Sequence, residues 1–216
     1  MLNQTYDNLE LIIIGDRCTD DTTEIIKKLD DDRIRYKNLN YKKKPFPETK
    51  ENIWLAGEVI AANYALSISR GKWIARIDDD EEWTADHIEK LLKFSQKNKY
   101  EFVSGNVEIT DGNGTYIVKG RRVYSKYFGT EKSHIPDYKN PRLSGHSTWL
   151  YRSYIKYFKY NSQCWRKSFN RVNDIDLALR LLNAGVRIGN LDEIVTYLKC
   201  RPGEKKIGWS AVQEQM

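Results

Sequence analysis

The feature that most constrains this chain is a recurring unit: a short apolar run that stops at aspartate and is followed by a helical pattern. Residues 10–14 (ELIII) end at Gly15-Asp16, and residues 72–77 (KWIARI) end at Asp78-Asp79-Asp80. Short aliphatic runs bounded by polar turns read as buried parallel strands. Behind the first run, Thr19-Asp20-Asp21-Thr22 is an N-cap signature, followed by Ile25, Ile26 and Leu29 at helical spacing. Residues 33–39 alternate like a second strand, and residues 42–52, with two prolines, read as a loop. Residues 53–69 are expected as one helix with Ala56, Ile60, Tyr64 and Ile68 along a face, stopped at Arg70-Gly71. Residues 84–98 are expected as another, capped by Thr84 and braced by the pairs Asp86–Lys90 and Glu89–Lys93. This order predicts an α/β fold: a mainly parallel sheet with helices on both faces. Ile14 and Ile77 should then lie on central, adjacent or near-adjacent strands, and Asp16 and Asp78 should emerge at one sheet edge, where ligands bind in such folds.

Beyond residue 100 the pattern changes. Strands are expected at residues 102–109 and 115–119, flanking the turn Asp111-Gly112-Asn113-Gly114. Residues 121–165 are rich in aromatics and poorly periodic, and residues 174–184 form a helix closed by Gly185. A strand-like run follows at residues 194–199. No repeat or linker divides the chain, and 216 residues suit a single domain.

Bulk properties narrow the function classes. No run approaches the length that spans a bilayer, and the start MLNQTYDNLE lacks a basic flank and an apolar signal core, so a cytoplasmic chain is expected. Cys18, Cys164 and Cys200 are widely spaced and odd in number, which suggests reduced thiols. The net charge of +6 is compatible with anionic partners, but no zinc finger, RNP-type motif or basic heptad helix points to nucleic acid. The cluster Lys42-Lys43-Lys44 reads as solvated loop in preference to a binding patch.

Two triple-aspartate runs serve as controls for each other. Asp30-Asp31-Asp32 sits among cations with no apolar strand leading into it, and reads as solvated surface. Asp78-Asp79-Asp80 ends an apolar strand, where like charges are costly unless a cation neutralises them. Hard oxygen ligands suit Mg²⁺ or Mn²⁺, which also grip phosphates; the plain alternative is an acidic turn before a helix. Asn173-Asp174-Ile175-Asp176 opens the last helix. One carboxylate there serves the helix terminus, and Asp176 can pair with Arg180; the other is a candidate general base. Asp174 lies on the stripe of Leu177 and Leu181 and so can face the crevice. His146, in SGHSTWLY, is a candidate for orienting an acceptor or phosphate, with a packed or surface histidine as the commoner case. His87 and His134 read as inert. Trp83, Trp149 and Trp165 could stack on sugars, although large aromatics are more often core.

These segments, in this order, resemble glycosyltransferase family 2, inverting enzymes with the GT-A fold. QTYDNLELIIIGDRCTDDT looks like the family's second strand and its DDGSTD-type turn, and GEVIAANYALSISRGKWIARIDDDEEW like its helix, strand and DxD block. NDIDLALRLLNAG is similar to the segment that carries the base, and LDEIVTYLKCRPG to the strand and loop after it. The likeness implies a GT-A-like fold, a nucleoside-diphosphate sugar donor, a divalent cation (Mn²⁺ or Mg²⁺) and a glycan or lipid-linked acceptor. It implies that Asp16 contacts the nucleotide base, that Asp78 and Asp79 lie with Asn63 on the donor, that Asp80 and Asp78 hold the cation, and that Asp174 is the base. Residues 1–100 would form the donor half and residues 101–216 the acceptor and base half, with residues 121–165 on the acceptor side. Surface polysaccharide synthesis and peripheral contact with the inner membrane face are implied with it.

The chain departs from the family pattern in places. Gly15 stands for one of two adjacent acids, Ala62 for a frequent arginine, and Asn173 for a glutamate. The family's first strand and most of its first helix would precede Met1. A nucleotide-sugar pyrophosphorylase is a second reading, but the Gly-rich phosphate loop it needs is not in the sequence. A non-catalytic glycan- or nucleotide-binding remnant is a third, against which the retained Asp78, Asp80 and Asp174 stand.

Overall fold

The first apolar run forms β1 (Leu11–Asp16), which turns at Arg17 into the short helix α1 (Thr22–Lys27) and returns as β2 (Ile34–Leu39). β1 and β2 pair in parallel, from Leu11 opposite Ile34 to Asp16 opposite Leu39, as the strand–helix–strand pattern requires. In this computed structural model, residues 1–125, 134–166 and 172–200 are described. α1 buries no residue, and Ile25 and Leu29 are exposed. The amphipathic stripe expected there is real in spacing but not covered.

The single helix expected over residues 53–69 is two. α2 (Lys50–Ala56) is capped by Thr49, whose hydroxyl accepts from the Asn52 amide at 3.2 Å, and α3 (Val59–Ile68) begins after Gly57-Glu58. The break changes the phase of the buried face, so Leu55, Ala56, Val59 and Leu66 are buried while Tyr64 is exposed. A side chain at Gly57 would meet the Ile53 carbonyl at 2.3 Å, so this tight junction needs glycine. Next come β3 (Trp73–Ala75), β4 (Glu81–Trp83) and α4 (His87–Asn98). Both expected i,i+4 pairs form, Lys90–Asp86 at 3.1 Å and Lys93–Glu89 at 2.5 Å. Thr84 does not cap α4: its hydroxyl donates to Asp86, which precedes the first helical residue.

β5 (Phe102–Asp111) and β6 (Gly114–Val118) make the hairpin expected around the DGNG turn. β7 (Arg121–Arg122) and β8 (Arg142–Leu143) pair in a small ladder, and β9 (Leu150–Arg152), α5 (Asn173–Asn183) and β10 (Ile188–Lys199) complete the chain. The main sheet runs β3-β9-β5-β10-β4, with β6 attached to β5. It is mixed rather than mainly parallel. β5 and β10 are parallel, whereas β9 runs antiparallel between β3 and β5, and β4 antiparallel on β10. Local order foresees parallel neighbours, but it cannot see a late strand inserting between two earlier ones. Ile14 lies in the separate β1–β2 pair, so Ile14 and Ile77 do not share a sheet. β3 spends its pairing on β9, with Trp73 opposite Arg152. Ile77 lies beyond β3, because the Asp78 amide turns away from strand pairing to donate to Ser147 Oγ at 3.1 Å.

The core lies between this sheet and α3 and α5. Phe102 stacks on Tyr151 with centroids 5.4 Å apart and meets Trp149 edge-on at 4.9 Å. Leu177 and Leu181 bring the apolar stripe of α5 into the same cluster. Trp149 is thus core, not a sugar platform.

His87 is fully buried, stacks on Trp83 at 3.9 Å, and bonds the Val195 carbonyl through Nδ1 at 2.8 Å. Burial, only partly offset by that bond, lowers its pKa from 6.5 to about 4. Between those values the unfolded chain binds the extra proton. Stability is therefore complete above pH 6.5 and lost on acidification towards pH 4, by about 3 kcal/mol for this group. Urea unfolding of wild type and His87→Phe should show that acid slope in the wild type and its flattening in the variant.

Candidate functional site

β3 runs towards the acidic turn, and the segment SGHSTW meets it from the other side. A 3₁₀ turn at His146–Thr148 is closed by Thr148 Oγ1 on the Gly145 carbonyl at 2.7 Å. Ser147 is the hub. Its hydroxyl accepts from the Asp78 amide, and its carbonyl accepts from Trp83 Nε1 at 2.6 Å and from Thr196 Oγ1 at 3.2 Å. The turn thereby fastens the acidic loop, β4 and β10 together, and points His146 at the acids.

The His146 imidazole lies between two carboxylates, with Nε2 2.7 Å from Asp78 Oδ2 and Nδ1 3.5 Å from Asp174 Oδ2. On the far side of Asp78, Arg76 Nη2 reaches Asp78 Oδ1 at 3.1 Å and also pairs with Glu58. The guanidinium lies over the Tyr160 ring, 5.1 Å from its centroid. Burial alone would raise the Asp78 carboxyl, but the His146 hydrogen bond and the His146 and Arg76 charges outweigh it and bring it down to about 2. Burial and the nearby Arg76 charge oppose a protonated His146. The hydrogen bonds with Asp174 and Asp78 win and hold its pKa well above the ordinary histidine range. Glu81, beneath the same turn, is pushed up by burial and by the neighbouring acids Asp78 and Asp80, against a hydrogen bond from Ser147.

The network continues to the first strand. Lys44 Nζ is 2.6 Å from Asp16 Oδ2 and 2.9 Å from the Gly57 carbonyl, which the helix break leaves available. The Lys44 side chain is 7 % exposed, so the solvated-loop expectation fails for it, while Lys42 and Lys43 are exposed as expected. Tyr41 also donates to Asp16, and Arg17 pairs with Glu48 at 2.7 Å to pin the loop. A continuous polar path therefore runs Asp16, Lys44, Gly57-Glu58, Arg76, Asp78, His146, Asp174. This path links Asp16 to Asp78 although the strands that lead to them sit in different sheets.

Asp174 and Asp176 separate as the helical geometry demands. Asp176 is buried and bonds Arg180 Nε at 2.8 Å, and Arg180 goes on to the Phe158 and Lys159 carbonyls. Asp174 accepts from the Ile175 amide through Oδ1 at 2.7 Å and turns Oδ2 to His146. Asn63 stands back from the path. Its amide both donates to the Tyr160 carbonyl and accepts from the Tyr160 amide, at 2.9 and 2.8 Å, so it braces the residue beneath Arg76. Asp79 is exposed and Asp80 half-buried in the turn. Asp31 of the control run pairs with Arg33 at 2.7 Å, a local surface arrangement.

Among the described residues, Glu58, Asp78 and His146 offer ligand atoms that all lie within 4.8 Å of one another. Two carboxylate oxygens and an imidazole nitrogen form a donor set that Mn²⁺ accepts. In this conformation Arg76 supplies the positive charge between Glu58 and Asp78, so the trio accepts a cation only if Arg76 withdraws. Sequence reasoning misses Arg76 and Glu58 altogether, and it gives His146 only a secondary place. The signal for His146 is a Gly-His-Ser triplet directly before an apolar strand.

Acids with cations threaded between them thus gather where the apolar strand β3 runs out, the edge at which α/β folds place their ligands. Residues 1–158 match the pattern of Glycosyl transferase family 2, and the chain belongs to that family. It is 29 % identical over 202 residues to the Escherichia coli UDP-Glc:alpha-D-GlcNAc-diphosphoundecaprenol beta-1,3-glucosyltransferase WfaP, covering 94 % of this chain and 70 % of that protein. With WfgD, an E. coli glucosyltransferase described in the same terms, identity is 30 % over 58 % of this chain and 46 % of that protein. The solved structure of S. aureus TarS 1-349 in complex with UDP-GlcNAc superposes with a TM-score of 0.59 at 17 % identity, over 94 % of this chain and 53 % of that one. The fold is GT-A-like. The chain spans roughly half of WfgD and of the TarS chain. No helix among the described residues is long and apolar enough to cross a membrane.

Proposed function

We propose that this chain is an inverting glycosyltransferase that moves a sugar from a nucleoside-diphosphate donor to a hydroxyl of a lipid-linked glycan acceptor in surface polysaccharide synthesis. The observation that carries the reading is the polar path from Asp16 to Asp174. It joins a candidate nucleotide contact, the DxD-type turn and a candidate base. Two relatives named for UDP-glucose and a diphosphoundecaprenol-linked acceptor support that donor and acceptor class. A lipid-linked acceptor implies peripheral contact with the membrane face that carries it.

Asp16 receives the nucleoside end, with Lys44 and Tyr41 setting its orientation. Asp78 and Asp79 line the donor, and Asp80 with Asp78 would hold a divalent cation, whose chemistry is to neutralise charge on the departing diphosphate. Asp174 takes the proton of the acceptor hydroxyl as it attacks the anomeric carbon, and the single displacement inverts that centre. Residues 121–165 build the acceptor side; of that stretch, residues 126–133 lie outside the described residues, as do Arg201 to Gly203 of the last motif.

The test is transfer from labelled UDP-glucose to an N-acetylglucosaminyl diphospho-lipid, read as UDP release together with a product one hexose larger. Donors and acceptors of this class that all go unconverted by folded protein would overturn the reading. Asp80→Ala should weaken Mn²⁺-dependent UDP binding about tenfold in calorimetric titration, while Asp31→Ala leaves it unchanged. Equal affinity in the Asp80 variant would return the acidic run to a structural role.

A further inference from the structure

We propose that His146 is a positioning residue that ties the donor carboxylate to the base: its Nε2 edge holds Asp78 and its Nδ1 edge orients Asp174. The inference rests on the reading of Asp174 as base given above. Asp174 leaves one oxygen for this task. Oδ1 is engaged by the Ile175 amide at 2.7 Å, and Oδ2 faces His146 Nδ1 at 3.5 Å. That long contact is typical of catalytic hydrogen bonds before substrate binds, which tighten in the complex.

The ring cannot drift far. Its side chain is 16 % exposed and meets Trp149 edge-on, with centroids 6.1 Å apart. Trp149 is itself fixed by Nε1 on the Ser144 carbonyl at 2.8 Å. On the other edge, Nε2 lies 2.7 Å from Asp78, whose backbone is tied to Ser147, the next residue of the same turn. One turn therefore sets the main chain of the donor carboxylate and the side-chain direction of the base.

A histidine that only fills space has no reason to act differently through its two nitrogens, and amide side chains separate them. Asparagine places an amide group near the Nδ1 position, and glutamine near Nε2. With UDP-glucose and an N-acetylglucosaminyl diphospho-lipid, His146→Gln should keep the donor KM and lose kcat about tenfold to a hundredfold. His146→Asn should raise the donor KM while keeping most of kcat. In the Asp174→Asn background, His146→Gln should cost little more, because both changes act through one carboxylate. Thermal melts of each variant establish folding, and either variant, if folded, decides the matter alone. Wild-type kcat in His146→Gln, or a wild-type donor KM in His146→Asn, would overturn the inference. If Asp174→Asn itself turns over at the wild-type rate, the base assignment falls instead. Lost turnover in Asp174→Asn with full turnover in His146→Gln sinks only the role of His146.

Discussion

Asp174→Asn is expected to lower kcat by ~10²-fold or more while leaving UDP affinity within about twofold. The substitution keeps size and polarity, and its one amide oxygen can still accept from the Ile175 amide or from the His146 ring. What it removes is the ability to take a proton from the acceptor hydroxyl. Asp176→Asn should do the reverse. Asp176 is buried against Arg180, whose other donors cap the Phe158 and Lys159 carbonyls. Losing that charge weakens a tie between α5 and the preceding segment by about 1–3 kcal/mol, and kcat of the folded fraction should hold. Steady-state kinetics and urea unfolding of the two variants give the comparison. Lost turnover in Asp176→Asn with retained turnover in Asp174→Asn would move the base to Asp176.

The separation of these two aspartates is legible in sequence because helical geometry is local. Two residues apart on one helix, side chains diverge by about 160°, and Arg180 at i+4 claims one of them. The acidic turn is legible for a similar reason, since an apolar strand ending in carboxylates is a strand-end signal by itself. The partners of those acids are not. Lys44 lies 28 residues from Asp16, and His146 lies 68 from Asp78 and 28 from Asp174. Periodicity carries no information about which distant side chain arrives at a strand end. The antiparallel course of β9 belongs to the same class. It lies in the stretch that shows no clear period in sequence, and its place between β3 and β5 is accompanied by Trp149 and Tyr151 packing on Phe102. The break at Gly57-Glu58 has a faint signal, a glycine inside a helical pattern. Its consequence, a carbonyl freed for Lys44 and a carboxylate brought to Arg76, shows only in three dimensions.

The second large effect concerns Arg76. Arg76→Met should destabilise the fold by about 3–5 kcal/mol, because it leaves Glu58 and Asp78 facing each other without the cation between them. Methionine preserves much of the side-chain volume and the contact with the Tyr160 ring, so the loss reports charge more than packing. For a chain of this length that is roughly a 10 °C fall in Tm. The acid limb should change with it. In the wild type the Asp78 carboxyl is depressed from 3.8 to about 2, so its contribution is complete above pH 3.8 and is lost as pH falls to 2. Without Arg76 the folded value rises towards 3.8, and that acid-dependent contribution shrinks. The same variant separates charge from shape at the acidic trio. Glu58, Asp78 and His146 hold ligand atoms within 4.8 Å of one another in the wild type, and the variant removes the guanidinium from among them. Mn²⁺ should therefore raise the Tm of Arg76→Met more than that of the wild type, where Arg76 already fills the charge requirement. Equal Mn²⁺ shifts in the two proteins would mean that Arg76 and the cation do not compete, and that the cation engages the acidic turn away from Glu58.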